Sequence, residues 1–187
     1  CMQNINVVKR DGRKEPFDLE KVHKVLEWST EGINGVSVSE IELKSNIQIY
    51  DNIKGNDIHE LLIKSAAELI SELTPNYQYV AARLVNYKLR KEVYGRYEPL
   101  SLYEMIEKNV NNKMYDAQIL ESYTKEEIDS LDQHIRHERD ENFTYVGMEQ
   151  FRGKYLVQNR STGKIYETPQ ILYMTIAMTL FSSYPQE

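Results

Sequence analysis

Apolar and polar positions divide this chain into one short extended stretch followed by a series of helical ones. Near the N-terminus Val7-Val8-Lys9-Arg10 and Lys14-Glu15-Pro16-Phe17 flank Asp11-Gly12, a dipeptide that readily takes the positive φ angles of a tight hairpin. Asp18 then stands where a helix N-cap would stand, just before an apolar-periodic segment. The pattern predicts strand, turn, strand, helix. Lys9 and Arg10 fall on the first strand, Glu15 beside the second, and Lys21 in the first helical turn, where free N–H groups and the dipole favour an anion. A polyphosphate fits such a place, and so does a plain solvated hairpin.

Val22, Val25 and Leu26, with Trp28 and Ile33 nearby, follow helical spacing, and Gly32 marks a stop. Residues 37–50 read as a second helix starting at Ser39, although Ile41, Leu43, Ile47 and Ile49 partly alternate. Asp57 is the expected cap of a third, with a stripe of Ile58, Leu61, Leu62, Ser65, Ala66, Leu69, Ile70 and Leu73. Thr74-Pro75 opens a fourth, which carries Val80, Leu84 and Tyr87. These four would close a cluster with the hairpin laid over one end.

Tyr94-Gly95-Arg96-Tyr97-Glu98-Pro99 punctuates the end of that cluster and predicts a domain boundary, giving 1–95 and 96–187. Beyond it Leu102, Met105, Ile106 and Val110 share a face, and Thr124 with Glu127 forms a capping box for a helix with Ile128, Leu131 and Ile135. Lys154 to Val157 and Lys164 to Glu167 flank Ser161-Thr162-Gly163 as a hairpin. Thr168-Pro169 then starts a buried helix of Ile171, Leu172, Ile176 and Leu180. The expected class is mainly α with a small β component (α+β).

Composition narrows the function. A length of 187 residues with 41% hydrophobic content can bury a core. The net charge of -6 falls mostly after residue 95, since residues 1–95 hold 13 basic and 14 acidic side chains and the rest hold 10 and 15. Nucleic acid is therefore not an expected partner. No apolar run approaches the roughly 20 residues of a membrane span and no secretory signal is visible, so a cytoplasmic place is expected. Cys1, ahead of Met2, is the only cysteine, which excludes an internal disulfide or a cysteine metal cage. His134 and His137 would share a helical face, but no third ligand accompanies them, so that stretch reads as an exposed helix and no metal site is expected.

The order Val-x-Lys-Arg-Asp-Gly, then Phe17-Asp18-x-x-Lys21-Val22, resembles the opening of the ATP-cone, a nucleotide-sensing module. The resemblance continues through Asp57-Ile58-His59, Pro75-Asn76-Tyr77-Gln78-Tyr79, Ala81-Ala82-Arg83, Leu89-Arg90-Lys91, Tyr94-Gly95 and Lys154-Tyr155-Leu156-Val157. As a whole the chain is similar to the N-terminal part of the large (α) subunit of class I ribonucleoside-diphosphate reductases. That resemblance implies an ATP-cone of four helices capped by a hairpin or small sheet, then the helical region leading into the reductase α/β barrel domain.

It also implies an allosteric site for ATP or dATP, with Mg, and no metal bound directly by this chain. Lys9, Arg10 and Lys91 would meet the phosphates, Lys21 would support them, and Glu15 would accept from the adenine amino group. His59 would lie near the sugar, and Val7, Phe17, Val22 and Ile58 would wall the base. Asp18 stands where the family often has Asn, and Gly55 where Thr is usual, so each removes a possible donor near the ligand. The implied partners are the remainder of the large subunit, in the same or a separate chain, the small radical-generating β subunit, and further large subunits. The complete complex would reduce ribonucleoside diphosphates using thioredoxin or glutaredoxin, whereas this chain lacks the catalytic cysteines and would be inactive alone. A stand-alone ATP-cone regulator or a helical interaction module without a reductase partner is the alternative.

Overall fold

The computed structural model describes residues 5–46 and 49–182; Cys1, Met2 and Ile47 lie outside the described residues. The chain forms two compact units, one of the described residues up to Lys88 with Asn142–Met148, the other of Leu89–Glu141 with the described residues from Glu149 on.

In the first unit, β1 (Asn6–Val8) pairs antiparallel with β2 (Lys14–Pro16), Val7 facing Glu15. The loop between them is longer than the expected two-residue turn. Lys9 N–H bonds Arg13 O at 2.7 Å, Gly12 N–H bonds Lys9 O at 3.0 Å, and Gly12 alone in the loop takes a positive φ, of 85°. This is the three-residue pattern in which a turn is closed by one left-handed residue. Lys9 and Arg10 therefore sit in the loop, not on the strand as expected. A third strand, β3 (Ile53–Lys54), pairs parallel to β1 on its other side.

Helix α1 (Leu19–Thr30) is capped by Asp18, whose Oδ1 accepts the Glu20 N–H at 3.0 Å. Helix α2 (Val38–Asn46) begins one residue before the expected Ser39, because Ser37 Oγ takes the Glu40 N–H. Ile49 and Tyr50 have left the helix to approach β3. Helix α3 (Gly55–Glu68) starts directly from β3, which places Asp57 in the first turn, not at the cap. Its apolar stripe stops short of the expected Leu73, which is 94% exposed beyond the helix. Helix α4 (Tyr77–Tyr94) follows a turn at Pro75. Leu26, Ile41, Ile53, Leu62, Ile63, Val80, Ala81 and Val85 fill the centre of this unit. Full burial of such a Leu or Ile contributes about 1.5–3 kcal/mol.

The second unit holds α5 (Leu102–Asn111), α6 (Gln118–Ser122), α7 (Lys125–Asp132) and α9 (Pro169–Phe181); α8 (Tyr145–Gln150) straddles the division. The capping box on α7 forms as expected. However, α7 ends at Asp132, so Ile135 and His134 lie beyond it and His137 opens a separate 3-10 turn, His137–Asn142. The two histidines share no helical face. Nor is the stretch a solvated helix, since Asp140 within it is fully buried. On α5 Asn109 is buried while Val110 is only half-buried.

Lys154 and Tyr155, expected in a strand, end a π-helical turn, Phe151–Tyr155. Arg160 Nη1 and Nη2 donate to Gly153 O and Lys154 O and hold that turn in place. The hairpin contracts to the Gln158–Ile165 bridge and its flanking bonds. Helix α9 buries Ile171, Thr175 and Met178, but Ile176 is 47% and Leu180 61% exposed. Of the expected buried set, Ile171 is buried and Leu172 half-buried, while Ile176 and Leu180 are not.

Polar groups are buried with care in this unit. Glu167 accepts from the Tyr115 hydroxyl and, at 2.8 Å, from Val157 N–H. Tyr94 and Thr168 share a hydroxyl contact of 2.8 Å. Arg90 donates to His137 O at 2.9 Å and lies 4.6 Å over the Tyr97 ring. Asp140 differs in that neither carboxylate oxygen has a partner at full hydrogen-bond geometry, whereas Arg90, Asn109 and His137 each leave one buried atom unpaired.

Candidate functional site: the sheet end and the start of α3

The parallel pairing of Val8 with Lys54 sets the geometry. Lys9 and Gly55 follow directly on these two residues, so the hairpin loop and the start of α3 leave from the same end of the sheet. Helix α3 has 14 residues and no side-chain cap, so its first N–H groups and the positive end of its dipole are open to an anion. Lys54 stands at the cap position and adds a cation there. Lys54 and Arg13 are residues that the hydropathy pattern does not single out. A two-residue strand is too short to show a period, and the charge of Arg13 looks like any other in a surface turn.

Glu15 lies opposite Val7, with Lys9 Nζ 3.6 Å and Arg13 Nη2 3.4 Å from its carboxylate. The Lys9 and Glu15 side chains are 39% and 35% exposed, and ion pairs this exposed contribute at most about 1 kcal/mol. Lys9 can therefore exchange its carboxylate for a phosphate at little cost. Val7 and Ile58 are buried in the core, and Phe17 and Val22 are half-buried. His59, one turn into α3, packs its ring on Tyr87 of α4 with centroids 5.6 Å apart.

The other expected residues are placed differently. Asp18 and Lys21 are exposed at the start of α1, which follows β2 and so leaves from the opposite end of the three-residue sheet. The Asp18 carboxylate is engaged in capping. Arg10 is exposed in the hairpin loop, and Lys91 is half-buried in the last turn of α4, within the second unit. At Gly55 an added Cβ would meet nothing within 4 Å. Among the described residues no group of three or more His, Cys, Asp or Glu side chains could hold a metal ion, and no helix is long and apolar enough to cross a membrane.

Residues 5–92 match the ATP cone domain, and residues 141–186 match the ribonucleotide reductase all-alpha domain. A mainly helical chain with a small three-stranded sheet agrees with both. Across 99% of its length the chain is 52% identical to the ribonucleoside-diphosphate reductase 1 subunit alpha of Escherichia coli, and 49% identical to the corresponding subunit alpha of Haemophilus influenzae. Over 98% of its length it is 48% identical to the subunit alpha of Enterobacteria phage T4. The chain spans 24% of the length of each of these relatives. It belongs to the class I ribonucleoside-diphosphate reductase α-subunit family and corresponds to the N-terminal region, an ATP-cone joined to the all-alpha domain. The ATP-cone fits a regulatory role.

Proposed function

We propose that residues 1–95 form an allosteric site for ATP or dATP, and that residues 96–187 are the helical lead-in to the reductase catalytic domain. One observation carries this reading: Lys9 and the uncapped start of α3 emerge from the same sheet end, beside Glu15, within a segment that matches an ATP cone. Lys9, Arg10, Lys21 and Lys91 serve the phosphates and any accompanying Mg, Glu15 reads the adenine amino group, and His59 lies by the sugar. Val7, Phe17, Val22 and Ile58 wall the base, with Asp18 and Gly55 at its edge. Calorimetry with ATP and dATP tests the assignment. The Lys9→Ala, Arg10→Ala double variant should bind far more weakly, and unchanged affinity would overturn it.

A sensor acts by its differential affinity for two states, here states of assembly with the β subunit and with further α subunits in the cytoplasm. The exposed apolar positions of α9, Tyr173, Ile176, Leu180 and Phe181, suit packing against the remainder of the large subunit. Reduction of ribonucleoside diphosphates, with thioredoxin or glutaredoxin as electron source, then belongs to the complete complex. Mixed with a chain covering that remainder, the β subunit, a reductant and a ribonucleoside diphosphate, this chain should support deoxynucleotide formation. Activity without the second chain would overturn the division of labour, because Cys1 cannot act as both radical carrier and electron-donating pair.

A further inference from the structure

Lys9, Arg13 and Glu15 stand side by side on the hairpin. Lys9 and Arg13 close its loop, the Lys9 N–H bonding Arg13 O at 2.7 Å, and Glu15 follows on β2 opposite Val7. Each oxygen of the Glu15 carboxylate has its own cation, since Lys9 Nζ lies 3.6 Å from Oε2 and Arg13 Nη2 lies 3.4 Å from Oε1. The two cations are held differently. Arg13 is anchored at the other edge of its guanidinium, where Nε donates to Asp11 Oδ2 at 3.0 Å, and its backbone N–H donates to Asp11 Oδ1 at 2.9 Å. Arg13 thus spans the Asp11 and Glu15 carboxylates with a planar fork, whereas the Lys9 ammonium is a point charge on a flexible stem.

We infer that Arg13 is a positioning residue that sets base specificity: it holds the Glu15 carboxylate in place when Lys9 turns away to a phosphate. The inference rests on the reading of the cone as a nucleotide site, with Lys9 on phosphate and Glu15 on the adenine amino group, and adds to it a residue that touches no part of the nucleotide. One ammonium cannot face both anions at once. As Lys9 moves to the phosphates, Oε2 of Glu15 is uncovered while Oε1 stays against Arg13. A carboxylate held by one oxygen presents the other in a fixed direction, as an acceptor for an amino N–H. A base with a keto oxygen in that place brings an acceptor where the donor stood, and leaves the carboxylate oxygen unpaired. Without Arg13 the carboxylate is free to follow Lys9 or turn to water, so the amino group loses its oriented partner and the keto base loses its penalty.

The test is calorimetry on the full chain with ATP and with inosine triphosphate, which has the same phosphates and a keto oxygen in place of the adenine amino group. The parent should bind ATP more tightly. The Arg13 side chain is 67% exposed, so Arg13→Gln should fold like the parent. It should weaken ATP by roughly two- to fivefold, the range an exposed ion pair supplies, and leave inosine triphosphate no weaker, so that the preference between the two shrinks. Arg13→Lys, which keeps a cation beside Oε1, should restore part of the preference. In a chain that already carries Glu15→Gln, Arg13→Gln should leave the preference unmoved, because the two residues act as one unit. Equal weakening of both nucleotides by Arg13→Gln overturns the proposal, since Arg13 would then be one more charge near the phosphates, and an unchanged preference overturns it as well. Absence of ATP binding by the parent refutes the nucleotide reading itself, whereas ATP binding with its preference intact in Arg13→Gln refutes only the role of Arg13.

Discussion

In the first unit His23 stands part-exposed with its Nδ1 2.5 Å from Glu42 and its Nε2 2.9 Å from Glu27. In the second, Asp140 is fully buried, and neither carboxylate oxygen has a partner at full hydrogen-bond geometry. The hydrogen bond to Glu42 raises the His23 pKa, while burial raises that of Asp140 to about 7 against the opposing pull of Gln170 and Arg90. The direction is the same and the causes are opposite: His23 gains a charge among attracting neighbours, and Asp140 sheds one that the interior will not solvate. The cone keeps its charges where partners can be exchanged, as a sensor must. The second unit encloses them, so a change in ionisation there works against the packing.

The sharpest break of this contrast is loss of the exchangeable charges. Charge-assisted contacts contribute about 1.5–3 kcal/mol each, so Lys9→Ala with Arg10→Ala should cost roughly a hundredfold or more in ATP affinity. The urea midpoint should hardly move, because both side chains are at the surface. A large stability loss with intact affinity would reverse the roles given to the two units.

Next comes pH. A group whose folded pKa is raised contributes stability that is fully present below its unfolded value, here 3.8, and is lost as pH rises through about 7. Asp140 should therefore weaken the second unit by on the order of 3 kcal/mol between pH 4 and pH 8. Asp140→Asn should flatten that dependence in urea melts. His23, which follows the same sign with much solvent around it, should leave only a shallow slope behind. A variant as pH-sensitive as the parent would show that Asp140 is hydrated after all.

Tyr115→Phe probes the same interior at smaller scale. It leaves one Glu167 oxygen buried without its donor, which costs about 1–3 kcal/mol, and it should push the Glu167 pKa, already raised by burial, higher still. Equal stability of the variant and the parent at neutral pH would mean that water reaches Glu167.

Local signals proved legible and long-range ones did not. The hairpin, the Asp18 cap and the Thr124–Glu127 box each depend on residues within a few positions, and each is visible in the order of side chains. Strand β3 is not, because two residues have no period and only β1 makes them a strand. The burial of Asp140 is equally hidden, since Arg139-Asp140-Glu141 looks solvated until the 3-10 turn carries its middle residue inward. For the candidate site the same limit holds. Lys9 and Glu15 are legible as a hairpin pair, whereas the convergence of the loop with the start of α3 follows from the parallel pairing of Val8 with Lys54, 46 positions apart.

The smallest expected effect tests that convergence most directly. Gly55 is the first residue of α3, and an added Cβ would meet nothing within 4 Å, so Gly55→Thr can be accommodated without strain. Removing a glycine there restricts the unfolded chain and should stabilise the cone by about 0.4–1 kcal/mol, part of it offset by the stiffness of a β-branched side chain. The new hydroxyl would stand at the uncapped helix start, next to the loop that carries Lys9. If nucleotide phosphates or sugar lie there, one added neutral hydrogen bond, about 0.5–1.5 kcal/mol, should tighten ATP or dATP by roughly two- to tenfold. Calorimetry with both nucleotides and a thermal melt on the same sample separate the two contributions. A higher melting temperature with neither affinity altered would move the ligand away from the start of α3, and would leave Lys9 as an ordinary partner of Glu15.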